Sequence, residues 1–141
     1  MRRLRSGFSL IELLIVMTIM VLILAAAVPY YHEAVMRSHE MAAMQAVRAL
    51  QAAEAQYYSQ NGKYAASLSE LTPRWIAGDL AAGEKGGYRF RVGEDSAAYA
   101  IHAEPVKFGK TGTRTFYSDE AMIIRENRGS EPATASSPEA K

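Results

Sequence analysis

The chain has 141 residues, no cysteine, 49% hydrophobic and 22% charged residues, and a formal net charge of +1. One small domain is the natural organisation at this length. The near-balance of charge leaves no footprint of a strongly basic nucleic-acid binder, and without thiols there are no disulfides, thiolate metal sites or cysteine nucleophiles. Much of the apolar content is concentrated in one block, Phe8 to Val28, so the globular part is short of large core residues. Lacking disulfide staples, it depends on packing along a helix, on neighbouring subunits, or on both.

Arg2, Arg3 and Arg5 precede the apolar block, and removing residues 1 to 7 leaves 13 basic residues against 15 acidic ones, a formal charge of −2. The block itself, FSLIELLIVMTIMVLILAAAV, is long enough to cross a bilayer, since about 20 residues at about 1.5 Å each cover about 30 Å of hydrocarbon. The arginines place its N-terminal end in the cytoplasm and everything after Val28 outside. A secretory signal cut near Ala25-Ala26-Ala27 and a plain single-pass anchor both fit this much. Glu12 argues against both. A carboxylate at the membrane centre costs about 2.5–3.5 kcal/mol, and the positive end of the helix dipole offsets only about 0.3–1 kcal/mol of that. Its own segment holds no cation, so the expected partner is one from another molecule.

The run Arg5-Ser6-Gly7 followed by Phe8-Ser9-Leu10-Ile11-Glu12-Leu13 closely resembles the leader and processing site of type IV pilins and type II secretion pseudopilins. The resemblance implies that a prepilin peptidase cuts after Gly7 on the cytoplasmic side, that the new N-terminus at Phe8 is methylated, and that the apolar helix is retained. It also implies a partner for Glu12: the charged amine of Phe8 on a neighbouring subunit, which sets axial register in a filament. That is physically sound, because a slipped subunit would bury an unpaired charge.

Pro29 lacks an N–H and clashes with the preceding turn, yet helical periodicity resumes at once, with Ala43, Ala46, Val47, Leu50, Ala53 and Tyr57 on one amphipathic stripe. A kinked helix over Phe8–Ser59 is therefore predicted. A proline at this point also resembles the pilin pattern, in which the helix bends or melts locally in the filament. Met36, Met41 and Met44 read as gap-fillers in apolar packing. Asn61-Gly62 is a turn signal, and the stretch from Gln56-Tyr57-Tyr58 to Lys63-Tyr64 resembles the helix exit of many pilins. Ser67 and Glu70 have capping-box spacing, which predicts a short helical turn through Leu71 before Thr72-Pro73.

Beyond Gly78 the period changes to two. Tyr88–Val92 and Tyr99–Ala103 alternate around Gly93-Glu94-Asp95-Ser96 and predict a hairpin. Thr113–Tyr117 and Ala121–Arg125 predict a second pair around Ser118-Asp119-Glu120. The tail from Gly129 to Lys141 has no large apolar residue, and disorder is expected there.

Other motifs carry little chemistry. Gly109-Lys110-Thr111 looks like the end of a P-loop, but Glu104 stands where the pattern demands glycine, so a turn between strands is the better reading. His32 and His39 recur seven apart, whereas zinc sites on helices use i, i+4 spacing, where Met36 stands. His102 has no evident nucleophile or acid partner. Asp119, Glu120 and Asn127 could offer oxygen ligands to calcium, but the chain lacks the glycine- and aspartate-rich loop of major pseudopilins.

The expectation is an α+β, pilin-like fold: one long N-terminal helix, apolar in its first half and amphipathic in its second, packed on a three- to four-stranded antiparallel sheet. Residues 1–7 form a cleaved leader, 8–28 a transmembrane and filament-core helix, 29–60 its amphipathic half, 61–128 the loop and sheet of the head, and 129–141 a disordered tail. Gly7 and Phe8 define processing; Phe8, Glu12 and Pro29 serve assembly; no catalytic residue, cofactor or metal is expected, and no nucleic-acid partner is evident. The partners are copies of the chain or related subunits, the prepilin peptidase, an inner-membrane assembly platform and, before assembly, membrane lipid. The chain would reside in the inner membrane and then in a periplasmic or extracellular filament. A type II secretion pseudopilin and a membrane-anchored binding module that never polymerises remain the alternatives.

Overall fold

The structure, a computed structural model, describes residues 7–76, 78–93 and 98–141. Its element order is α1 (Leu10–Asn61), α2 (Leu68–Leu71), β1 (Glu84–Lys85), β2 (Tyr88–Gly93), β3 (Ala100–Pro105), β4 (Thr115–Asp119) and β5 (Arg125–Asn127). The chain divides into two units, Met1–Ala34 and Val35–Lys141.

In the second unit the helical stripe forms one wall of the core. Ala43, Ala46, Val47, Leu50, Ala53 and Tyr57 are buried with Tyr88, Phe90, Ile101, Ala103 and Phe116 of the sheet. The alanines let the sheet approach the helix closely, and Leu50, Phe90, Ile101 and Phe116 then bury large side chains worth about 1.5–3 kcal/mol each. The helix ends where Gly62, at φ 71°, takes the left-handed turn and donates its N–H to the Tyr58 carbonyl at 2.8 Å. Only a residue without Cβ adopts that turn cheaply.

The five strands form an antiparallel meander in the order β1-β2-β3-β4-β5. Phe90, Ala103 and Phe116 line up across β2, β3 and β4, as do Val92, Ile101 and Ser118 in the next core-facing row. Period-two alternation sends Arg89, Arg91, His102 and Tyr117 to the opposite face.

Several local expectations change. The sheet has one strand more than the pattern supplied, because the polar pair Glu84–Lys85 joins its edge. The last pair shifts towards the C-terminus. Residues after Asp119 make a longer turn, in which Asp119 Oδ1 accepts the Ala121 N–H at 3.0 Å and Met122 takes a positive φ of 59°, so β5 begins only at Arg125. No capping box forms at α2. Ser67 is its N-cap without a side-chain capping bond, its Oγ lying 2.7 Å from Ser69 Oγ, and Glu70 accepts the Tyr57 hydroxyl at 2.9 Å.

The largest correction concerns the tail, which is ordered rather than disordered. Thr115 Oγ1 and Asn127 Nδ2 donate to the Glu131 carbonyl, Ala133 is buried against Ala100 and Tyr117 on the outer face, and Arg125 Nη1 donates to the Ser137 carbonyl. The tail then closes the β5 edge, with Glu126 N donating to Pro138 O and Ala140 N to Ile124 O. These backbone bonds, with buried Ala133 and half-buried Ala140, offset an ordering cost that composition alone left uncompensated.

Candidate assembly site

In the first unit every described residue from Gly7 to Ala34 is exposed, including Phe8, Leu10, Ile11 and the apolar run to Val28. The helix starts with Leu13 N donating to Ser9 O at 3.1 Å, which puts Glu12 in the first turn. Thr18 satisfies its hydroxyl on the Leu14 carbonyl at 2.8 Å, so Glu12 is the ionisable group left in an otherwise apolar surface. Pro29 lies inside α1 and does not end it. This helix is long and apolar enough to cross a membrane, and none of its most apolar stretch is covered by the chain itself.

Among the described residues, a Cβ at Gly7 would meet nothing within 4 Å. Arg2, Arg3 and Arg5 lie outside the described residues.

The second unit holds an ion cluster that reasoning from sequence missed. Glu40, 4% exposed, accepts from Thr113 N at 2.8 Å, Thr113 Oγ1 at 3.0 Å and Arg114 Nε at 2.8 Å. Arg114 Nη1 reaches Glu126 Oε2 at 2.5 Å, and Arg128 Nε reaches Glu126 Oε1 at 3.1 Å. Burial alone would raise the Glu40 carboxyl, but the donors from Thr113 and Arg114 outweigh it and hold the group below the usual carboxylate range. Glu54 goes the other way. It is fully buried, one oxygen accepts Ala65 N at 2.9 Å, and Oε1 has no hydrogen-bond partner among the described residues. Burial pushes its carboxyl up, and the Glu70 charge adds to that. The signal was present in the spacing, since Glu40 and Glu54 fall on the same stripe as Ala43, Val47, Leu50 and Tyr57.

The oxygen groups considered for calcium are not brought together. Asn127 pairs with Thr115 at one end of β4 while Asp119 stands at the other, about 13 Å away at about 3.3 Å per residue. Asp119 is engaged by Ala121 N and the Tyr117 hydroxyl, and Asn127 by the Glu131 carbonyl. Among the described residues no group of three or more histidines or carboxylates is placed to hold a metal. His39 packs at the head, its Nδ1 3.2 Å from the Thr111 carbonyl. Gly109-Lys110-Thr111 forms part of the tight connection between β3 and β4.

A long helix with an uncovered apolar first half, and an antiparallel sheet packed on its second, define a pilin-like protein. Residues 2–28 match the family described as the prokaryotic N-terminal methylation motif, and residues 29–115, more than half of the chain, match the family described as type IV minor pilin ComP, DNA uptake sequence receptor. The chain belongs to the type IV pilin family. No curated protein and no solved structure matches it.

Proposed function

We propose that this chain is a structural subunit of a type IV pilus-like filament, cut after Gly7 by a prepilin peptidase, methylated at Phe8, and stored in the inner membrane by residues 8–28 until an assembly platform extracts it. The observation that carries this reading is the apolar surface of the first unit, which no described residue covers. Exposed to water it would be strongly unfavourable, at about 25 cal/mol per Å² of apolar area; lipid and then the helices of other subunits are its natural surroundings. Glu12 supplies specificity within that surface by pairing with the Phe8 amine of a neighbour. Co-expression with and without a prepilin peptidase tests the route: filaments sheared from cells should appear only with the peptidase, and equal yields in both cells would refute it.

A second reading comes from the matched family, whose description names a receptor for DNA uptake sequences. In this chain Arg89 and Arg91 stand exposed on the outer face of β2, with Arg91 also paired to Glu104. Phosphate contacts of this kind give salt-dependent binding. Retardation of duplex DNA at low salt, lost in the double variant Arg89→Gln/Arg91→Gln, would support it; no retardation at any salt would remove it.

A further inference from the structure

The β3–β4 connection presents an aromatic ring between two cations. Phe108 is 48% exposed, and Lys107 and Lys110 on either side of it are exposed as well. The loop is held rigidly. Lys110 N and Thr111 N donate to the Lys107 carbonyl at 3.0 and 2.9 Å, Gly109 N to the Gly112 carbonyl at 2.8 Å, and Lys107 N to Thr111 Oγ1 at 3.1 Å. Gly112 locks its base, because a Cβ there would stand 2.0 Å from the Tyr88 hydroxyl. Nothing in core packing calls for an apolar ring at the tip of such a loop.

Its attachment is equally specific. Thr111 meets His39 and Thr113 meets Glu40, both in the opening turns of the unit that begins at Val35, so the loop is fastened to the part of the head nearest in sequence to the apolar segment. The β1–β2 turn lies beside it: Val106 N donates to Gly87 O at 2.9 Å, and exposed Lys85 belongs to that hairpin, next to exposed Glu84. Tyr30 and Tyr31, 76% and 70% exposed, follow the apolar segment directly, where tyrosines favour the membrane–water boundary.

We propose that residues 106–112, with Lys85, form a lipid-docking element that seats the head on the anionic outer surface of the bilayer before assembly. Phe108 enters the boundary between headgroups and acyl chains, and Lys107, Lys110 and Lys85 meet the lipid phosphates. A phenyl ring flanked by ammonium groups suits that boundary, apolar below and anionic above. A duplex also presents phosphates, but it receives a ring only by unstacking a base step, at a cost of about a few kcal/mol, whereas the lipid boundary receives it without such a cost. Loop rigidity means that docking costs little ordering entropy. The inference rests on the membrane-held precursor proposed above.

The test uses the full chain reconstituted into vesicles. Trp75 is the one tryptophan, so Phe108→Trp in a Trp75→Phe background reports from the loop alone, and Tyr58→Trp in the same background is the control. Brominated lipids should quench the loop tryptophan in vesicles containing phosphatidylglycerol and leave the control bright. Zwitterionic vesicles should give weak quenching. Each lysine near an anionic surface is worth about fivefold in the docked-to-undocked ratio, so Lys107→Gln/Lys110→Gln should lower it about 25-fold. These lysines are exposed, and unchanged circular dichroism would show that the fold survives. Equal emission in both vesicle types would overturn the docking surface. So would a shift produced by duplex DNA and not by lipid. Failure of the chain to float with the vesicles would instead refute the membrane-held precursor.

Discussion

The two stretches of α1 face opposite problems. Through Val28 the helix is apolar and no described residue is buried, whereas from Glu40 to Tyr57 nine residues are buried, two of them glutamates. The second stretch is solved within the chain: its apolar side chains meet a sheet and Glu40 meets Arg114. The first has an apolar surface that no described residue covers, with the Glu12 carboxylate in its first turn. A sequence that covers its apolar side chains in one unit and leaves them exposed in the other suits surroundings that other molecules supply.

Perturbing the second unit should therefore change its stability, and perturbing the first should not. Removing Arg114 leaves Glu40, buried, with only the Thr113 donors and no cation, and Glu126 with only the exposed Arg128, so Arg114→Ala should cost about 3–5 kcal/mol in thermal or denaturant unfolding. A loss under 1 kcal/mol would show that the cluster is not a fastening. Truncation after Gly129 removes the bonds from Glu131, Pro138 and Ala140 and the buried Ala133, and should cost about 1–3 kcal/mol. Unchanged melting would show the tail to be an ornament of the sheet.

The pH response sharpens the same comparison. Glu40 is held low, so its contribution is complete above the ordinary carboxylate range and is lost as pH falls through its depressed value. Glu54 is held high, so folding binds a proton there, and its contribution declines as pH rises above the ordinary range. Glu54→Gln should thus stabilise the head slightly at pH 7 and have no effect near pH 3; stabilisation equal at both pH values would refute this account. At the bottom of the scale, Glu12→Ala should leave the head's melting unchanged while lowering filament yield at least tenfold, because burying an unpaired Phe8 amine costs more than the about 1.4 kcal/mol that a tenfold change requires. Normal yield would remove the register role.

What was legible in the sequence was local. The Ala43–Tyr57 stripe, the Asn61-Gly62 exit, the turn through Leu71 and the first hairpin all follow from periodicity and turn chemistry within a few residues. What escaped was settled by partners far along the chain. Glu84–Lys85 is a strand because β2 lies beside it, and Ala133 is buried because Tyr117 and Ala100 await it. Arg114 and Glu40 find each other across 74 positions, which no local pattern records. At the candidate assembly site the residue types stand out in the sequence itself, because Glu12 in an apolar run and Gly7 before Phe8 need no fold to be conspicuous.

The most direct test is the intact mass and N-terminal sequence of the protein purified from cells containing a prepilin peptidase. The account predicts a chain starting at methylated Phe8 with the apolar helix retained. A start at Val28 would mean an exported soluble domain, and an uncut Met1 a plain anchor; either would contradict it.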